Sequence, residues 1–178
     1  MKKEHSTLHL SWWCGIPIAL SFILSVIGSF LPQYSPPQNL IWQIATVAEM
    51  VGFSCLAFKA SKGEWYIPAA GFVLMAIAQG VFFSSTQIHI VEVNYEQGAS
   101  GIMFMIPGIL MVNYCTLFPR WLRWLGFAGI LPMVYVMILI YNQTYHPNSL
   151  IENAGFIFFQ LSTLGWAWYF WKDERKEE

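Results

Sequence analysis

Positive charge is scarce in this chain, and from one side of it positive charge is missing altogether. The 178 residues hold nine lysines and arginines: Lys2, Lys3, Lys59, Lys62, Arg120, Arg123, Lys172, Arg175 and Lys176. Charged residues of both signs make up 11%, whereas a water-soluble domain carries about a quarter, so a conventional soluble fold is excluded. No basic face extends beyond a few residues, which excludes nucleic acid as a partner. Cysteine is limited to Cys14, Cys55 and Cys115, without a C-x-x-C pair, which argues against dithiol exchange. The four histidines lie outside every long apolar stretch, so a bis-histidine haem within the membrane has no ligands. Gly-rich phosphate loops, the G-x-S-x-G elbow and H-E-x-x-H are all absent. No cofactor is expected, and a non-enzyme is favoured over an enzyme without the latter being excluded.

What the chain has instead is apolar length. Hydrophobic residues make up 56%, in six stretches: Leu10–Leu31, Leu40–Phe58, Tyr66–Ser84, Gly101–Phe118, Leu122–Tyr141 and Leu150–Trp171. Each is long enough to cross a hydrocarbon layer of about 30 Å at about 1.5 Å per residue. Threading them in order puts every basic cluster on one side. Positive charge stays cytoplasmic, so both termini are expected there. The expected fold is an all-α, single-domain bundle of six transmembrane helices spanning residues 1–178, N-in and C-in, multi-pass in a bacterial cytoplasmic membrane. The first stretch is longer than a signal-peptide core and lacks a small-x-small exit, so it reads as an uncleaved helix. Tryptophans support the orientation: Trp12, Trp13, Trp65, Trp121, Trp124, Trp166, Trp168 and Trp171 cluster toward the cytoplasmic ends. Trp42, Tyr34, Tyr95, Tyr141 and Tyr145 lie toward the other boundary, as two interfacial belts require.

Pro36-Pro37 is expected to stiffen the first outer loop, and Pro107 and Pro132 to bend spans four and five. Ser21, Ser25 and Ser29, and Ala76, Gly80 and Ser84, recur at helical spacing, which suits close helix contact within the bundle or between copies. The segment Ser85–Ser100 is the longest connection, with an amphipathic pattern compatible with an interfacial helix or extended structure.

Glu49 is the ionisable residue deepest in any span, about 13–15 Å from either boundary. An ionised acid there costs about 2.5–3.5 kcal/mol or more, so it is expected to face inward. No lysine, arginine or histidine lies within a span to pair with it, which leaves neutral partners. Gln160 and Ser21 share its depth, Gln79 and Tyr135 lie somewhat outward, and Asn113 somewhat inward. These residues can form a ligand-binding polar pocket, a proton site or an ion path; equally, Glu49 can bond to Gln160 simply to fix helix register. Matched depth predicts a direct or water-mediated hydrogen bond between Glu49 and Gln160, with Ser21 and Tyr135 next to join. A second constellation, His89, Glu92, Glu96, His146 and Glu152, lies in the outer loops. Of these, His89, Glu92 and His146 are the candidate metal ligands, since imidazole with carboxylate suits a divalent cation such as zinc.

The run Leu117-Phe-Pro-Arg-Trp-Leu-Arg-Trp-Leu-Gly126, with Leu164-Gly-Trp-Ala-Trp-Tyr-Phe-Trp171 before a charged tail, resembles a broad group of uncharacterised bacterial multi-spanning membrane proteins. The resemblance covers spans four to six and implies a six-helix membrane fold; it carries over no activity. Three functions stay open. The first is binding or conduction of a small solute, ion or proton around Glu49. The second is a scaffold or subunit, partnering membrane lipid and either a second copy or a larger membrane complex. The third is a metal-dependent enzyme at the outer surface.

Overall fold

A computed structural model describes residues 10–33, 35–85, 95–146 and 150–174. Among these residues it is all-helical, with six helices: α1 Leu10–Ser29, α2 Pro36–Lys62, α3 Tyr66–Ser85, α4 Tyr95–Tyr114, α5 Arg120–Tyr141 and α6 Leu150–Glu174. Four of them (α1, α2, α3 and α5) are long and apolar enough to cross a membrane. α4 opens on Tyr95-Glu96-Gln97, and α6 carries Glu152, Gln160, Ser162 and Thr163, which dilutes the apolar character of both.

Two helix starts differ from the sequence expectation. Pro36-Pro37 is not loop but the first turn of α2, where missing N–H groups cost nothing. Ser35 caps that turn, its hydroxyl accepting the Gln38 backbone N–H at 3.4 Å. α4 begins at Tyr95, six residues before Gly101, so the end of the long connection belongs to the helix. α4 also stops at Tyr114, and residues 115–119 form the turn into α5.

Each helix packs on the next in sequence, and α1 packs on α6, which closes a ring. Small residues set the spacing. A Cβ on Gly71 would sit 2.7 Å from the Gly108 carbonyl oxygen, and one on Gly108 would sit 2.8 Å from that of Gly71. α3 and α4 therefore touch backbone to backbone. Gly126 on α5 is pressed against the Asn113 amide of α4, and Gly52 on α2 against Ile18 of α1. Close approach of this kind suits helices that gain nothing from burying apolar surface against one another in lipid.

Apolar side chains also cover the outside. On α1, Ile16, Leu20, Ile23 and Ile27 follow helical spacing and are all exposed. Leu131 and Ile138 do the same on α5, as do Ile157 and Leu161 on α6. A surface this apolar is consistent with a membrane protein and would be a liability in water.

Cations gather at one end and tie helices together. Lys59 Nζ of α2 donates to the Phe170 carbonyl in the last turns of α6 at 3.1 Å. Arg123 donates to the Asn113 and Tyr114 carbonyls at 2.6 and 3.0 Å, closing the C-terminus of α4. Among the tryptophans expected in the interfacial belt, Trp12, Trp13, Trp121, Trp124 and Trp168 are exposed, but Trp166 is wholly buried. It faces the ring interior and packs on Phe72 and Phe118, so it belongs to the core.

The Gly71–Gly108 contact makes a prediction. Gly71→Ala is expected to destabilise the protein by about 1–3 kcal/mol through overpacking, seen as a lower thermal midpoint in detergent. Gly98, whose added Cβ meets nothing within 4 Å, is expected to accept alanine with a gain of about 0.5–1 kcal/mol.

Candidate functional site

Glu49 is the central residue of α2, thirteen residues from Pro36 and thirteen from Lys62. It is 4% exposed and points into the ring. Gln160 of α6 reaches it from across the interior, its Nε2 donating to Glu49 Oε1 at 3.2 Å. The hydrogen bond expected from matched depth is therefore present. α2 and α6 run parallel, and the same offset of 111 residues joins Glu49 to Gln160 and Lys59 to Phe170. Those two rungs hold the helices in register.

Ser21 comes to the same level on α1. Ile18 lies against Gly52 and Gly28 against Ile41 and Trp42, and this antiparallel register sets Ser21 opposite Glu49. Ser21 is 1% exposed, and its Oγ has no hydrogen-bond partner. The Gln160 Oε1 is likewise enclosed without a partner. Three helices thus bring a carboxyl, an amide and a hydroxyl to one layer, with two enclosed oxygens unsatisfied. Buried polar groups in proteins are almost always paired, and an unsatisfied one costs about 1–3 kcal/mol. A water, a proton or a cation is the kind of group such a layer can hold.

Two further polar side chains of α6 were not anticipated from the sequence. Ser162 and Thr163 are both fully buried, but each bonds its own helix, to the Phe158 and Gln160 carbonyls. Self-satisfied hydroxyls of this kind leave no periodic signal.

The remaining candidates are distributed differently from the expectation. Gln79 is buried on α3 at 4% exposure. Tyr135 is not in the layer: it lies on the outer face of α5, 45% exposed. Its near neighbours Met133 and Val136 take the inward positions. A tyrosine is amphipathic and tolerates the outer surface, so depth alone did not fix its direction. Asn113 is fully buried, but its Nδ2 donates to the Ile109 carbonyl of its own helix at 2.9 Å.

On the side of the layer nearer the cations the interior is closed by rings. Phe53 is one turn from Glu49, and packs with Phe72 and Phe159. Phe72 continues to Phe118, Trp166 and Phe170 at centroid distances of 5.7–6.4 Å. Beyond the layer on the other side, a small cavity of about 10 Å³ lies among Phe82, Ile102, Met105, Met133 and Phe156, with Glu152 also in its lining. Glu152 there accepts the Tyr145 hydroxyl at 2.5 Å.

Of the candidate metal ligands, His89 and Glu92 lie outside the described residues, and His146 is exposed beyond α5. Among the described residues no three or more His, Cys, Asp or Glu come together as a metal site. Among the described residues no cysteine forms a disulfide, and Cys14 is fully buried. Comparison with protein-family models, with curated proteins and with solved structures finds no match to this chain.

Removing one partner of the Glu49–Gln160 bond should cost more than removing both. Gln160→Leu and Glu49→Leu are each expected to lower stability by about 1–3 kcal/mol, because each strands a buried polar partner. The double variant is expected to fall short of the sum, a coupling that thermal unfolding of the four proteins in micelles measures.

Proposed function

We propose that this chain is a multi-pass protein of a bacterial cytoplasmic membrane, and that it binds or passes a small solute, ion or proton at the layer formed by Glu49, Gln160 and Ser21, with Gln79 nearby. The observation that carries this reading is the buried carboxyl itself, bonded to one amide beside two enclosed oxygens that have no partner. A bond serving only to fix register would need the carboxyl and the amide alone, without an unpartnered hydroxyl at the same level, although Asn113 Oδ1 and Trp166 Nε1 are also enclosed without partners.

All six helices cross the membrane in this reading, as one domain. Asn113 of α4 and Ser162 and Thr163 of α6 are fully buried, out of reach of lipid, while the exposed Glu96 lies in the first turn of α4. Lys59, Lys62, Arg120, Arg123 and Lys172 then face the cytoplasm together with both termini. The aromatic packing from Phe53 to Phe170 fills the cytoplasmic half, which argues against an open pore and for a site reached from one side at a time.

Alkaline-phosphatase fusions test the orientation: activity is expected after Gln143 and none after Gly63, and the opposite pattern would overturn it. Flux tests the site. Proteoliposomes with an entrapped pH-sensitive dye and an imposed membrane potential are expected to show proton flux that Glu49→Gln reduces to the protein-free level, since glutamine keeps the shape and hydrogen bond but cannot ionise. Proton and solute flux unaffected by that substitution would leave a scaffold or subunit role as the better reading.

A further inference from the structure

We infer that the Glu49 layer binds one monovalent alkali cation, held by the Glu49 carboxylate, the Gln160 Oε1 and the Ser21 Oγ. This rests on the reading of that layer as a ligand site and names the ligand.

The argument begins with the unsatisfied atoms. Gln160 Nε2 is committed to Glu49 Oε1, which fixes the orientation of the amide and leaves Oε1 enclosed with nothing donating to it. An amide oxygen is an acceptor only, so it needs a donor or a cation. Ser21 Oγ, brought opposite Glu49 by the α1–α2 register, offers lone pairs and has no partner of its own. A water could satisfy the amide and the hydroxyl, and a proton could neutralise the carboxyl, whereas one cation would do both at once.

Charge then sets the valence. The cations of the bundle sit at one end: Lys59 is ten residues from Glu49 along α2 and is engaged with Phe170. Arg123 is engaged with the end of α4. No described lysine, arginine or histidine shares the layer with Glu49. One positive charge neutralises one carboxylate, whereas a divalent ion would leave an excess charge where burial is costly. The donor atoms set the class of ion. Carboxylate, amide and hydroxyl oxygens are hard ligands that suit alkali and alkaline-earth ions, and the layer offers no imidazole or thiolate to select zinc, copper or iron. The ligands come from α1, α2 and α6, the pairs that close the ring, so a bound ion would tie the two ends of the chain together.

The test uses purified full-length protein in micelles in a sodium-free choline buffer, titrated with radioactive sodium. One saturable site is expected, with a thermal midpoint that rises with sodium because only the folded ring assembles the ligands. Glu49→Gln is expected to weaken binding by about 100-fold and Ser21→Ala by about tenfold, the range for contacts to charged groups. Circular dichroism checks that both variants are folded; if Glu49→Gln is not, Ser21→Ala decides. The inference is overturned if the native protein shows no saturable sodium binding, if the folded variants bind sodium as the native protein does, or if magnesium competes as well as sodium. A protein that binds no sodium yet shows Glu49-dependent proton flux would overturn the cation and leave the functional reading standing. Loss of both would remove the functional reading as well.

Discussion

An acid in the middle of an apolar helix cannot be left facing hydrocarbon, and Glu49 is such an acid. At the centre of α2 it is buried at 4% exposure, and the cost of exposing it to lipid is at least about 2.5–3.5 kcal/mol. That penalty fixes which face of α2 turns inward, and the rest of the ring follows from it. With Glu49 inward, Ala45, Ala48, Gly52, Phe53 and Leu56 become interior as well. Gly52 then admits Ile18 of α1, while Phe53 meets Phe72 and Phe159. The Gln160 amide supplies the one hydrogen bond seen to Glu49 from another helix and settles the rotation of α6.

Glycine and side-chain caps carry the rest of the packing. Where helices must come closest, the side chain is reduced to hydrogen, as at Gly71 and Gly108. Where helices end, a distant side chain supplies the missing donor. Gln38 Nε2 donates to the Gly28 carbonyl near the end of α1 at 3.0 Å, Arg123 closes α4, and Lys59 reaches the end of α6. Each of these bonds joins two elements as well as capping one. Positive groups at helix C-termini are also favoured by the helix dipole. The clustering of cations at one end of the bundle therefore has a structural use beyond any orientation it gives the chain.

Much of this was legible before the structure, and the reasons divide cleanly by residue. Helix existence follows from apolar length, which is why all six helices lie where the six stretches do. Their ends depend on capping, and Ser35 and Arg123 acted where hydropathy carried no signal. Depth follows from counting residues, and it correctly paired Glu49 with Gln160. Direction around the helix axis does not follow from depth, and Tyr135 lies at a suitable level but on the outer face. Trp166 failed for the related reason that tryptophan suits both an interface and a core. The rings that pack on it, from Phe72 and Phe118, come from separate parts of the chain and become a cluster only on folding.

The two halves of the interior differ in a way that bears on access to Glu49. Toward the cations, several aromatic pairs meet edge to face and leave little freedom, since flat rings at centroid distances of 5.4–6.3 Å are already in favourable contact. Toward the other end the cavity is lined partly by methionines, and Phe156 on its wall is one helical turn from Gln160. Methionine has flexible, unbranched side chains that repack at low cost. Met105 and Met133 are therefore the wall residues that repack most cheaply, beside the rings of Phe82 and Phe156. The same layer seen from the basic end is sealed by Phe53 and Phe72, both fully buried. Under the proposed function, that difference would favour entry from the end away from the cations. Passage through the whole bundle would require the aromatic contacts of Phe72 to open, a larger rearrangement than binding alone.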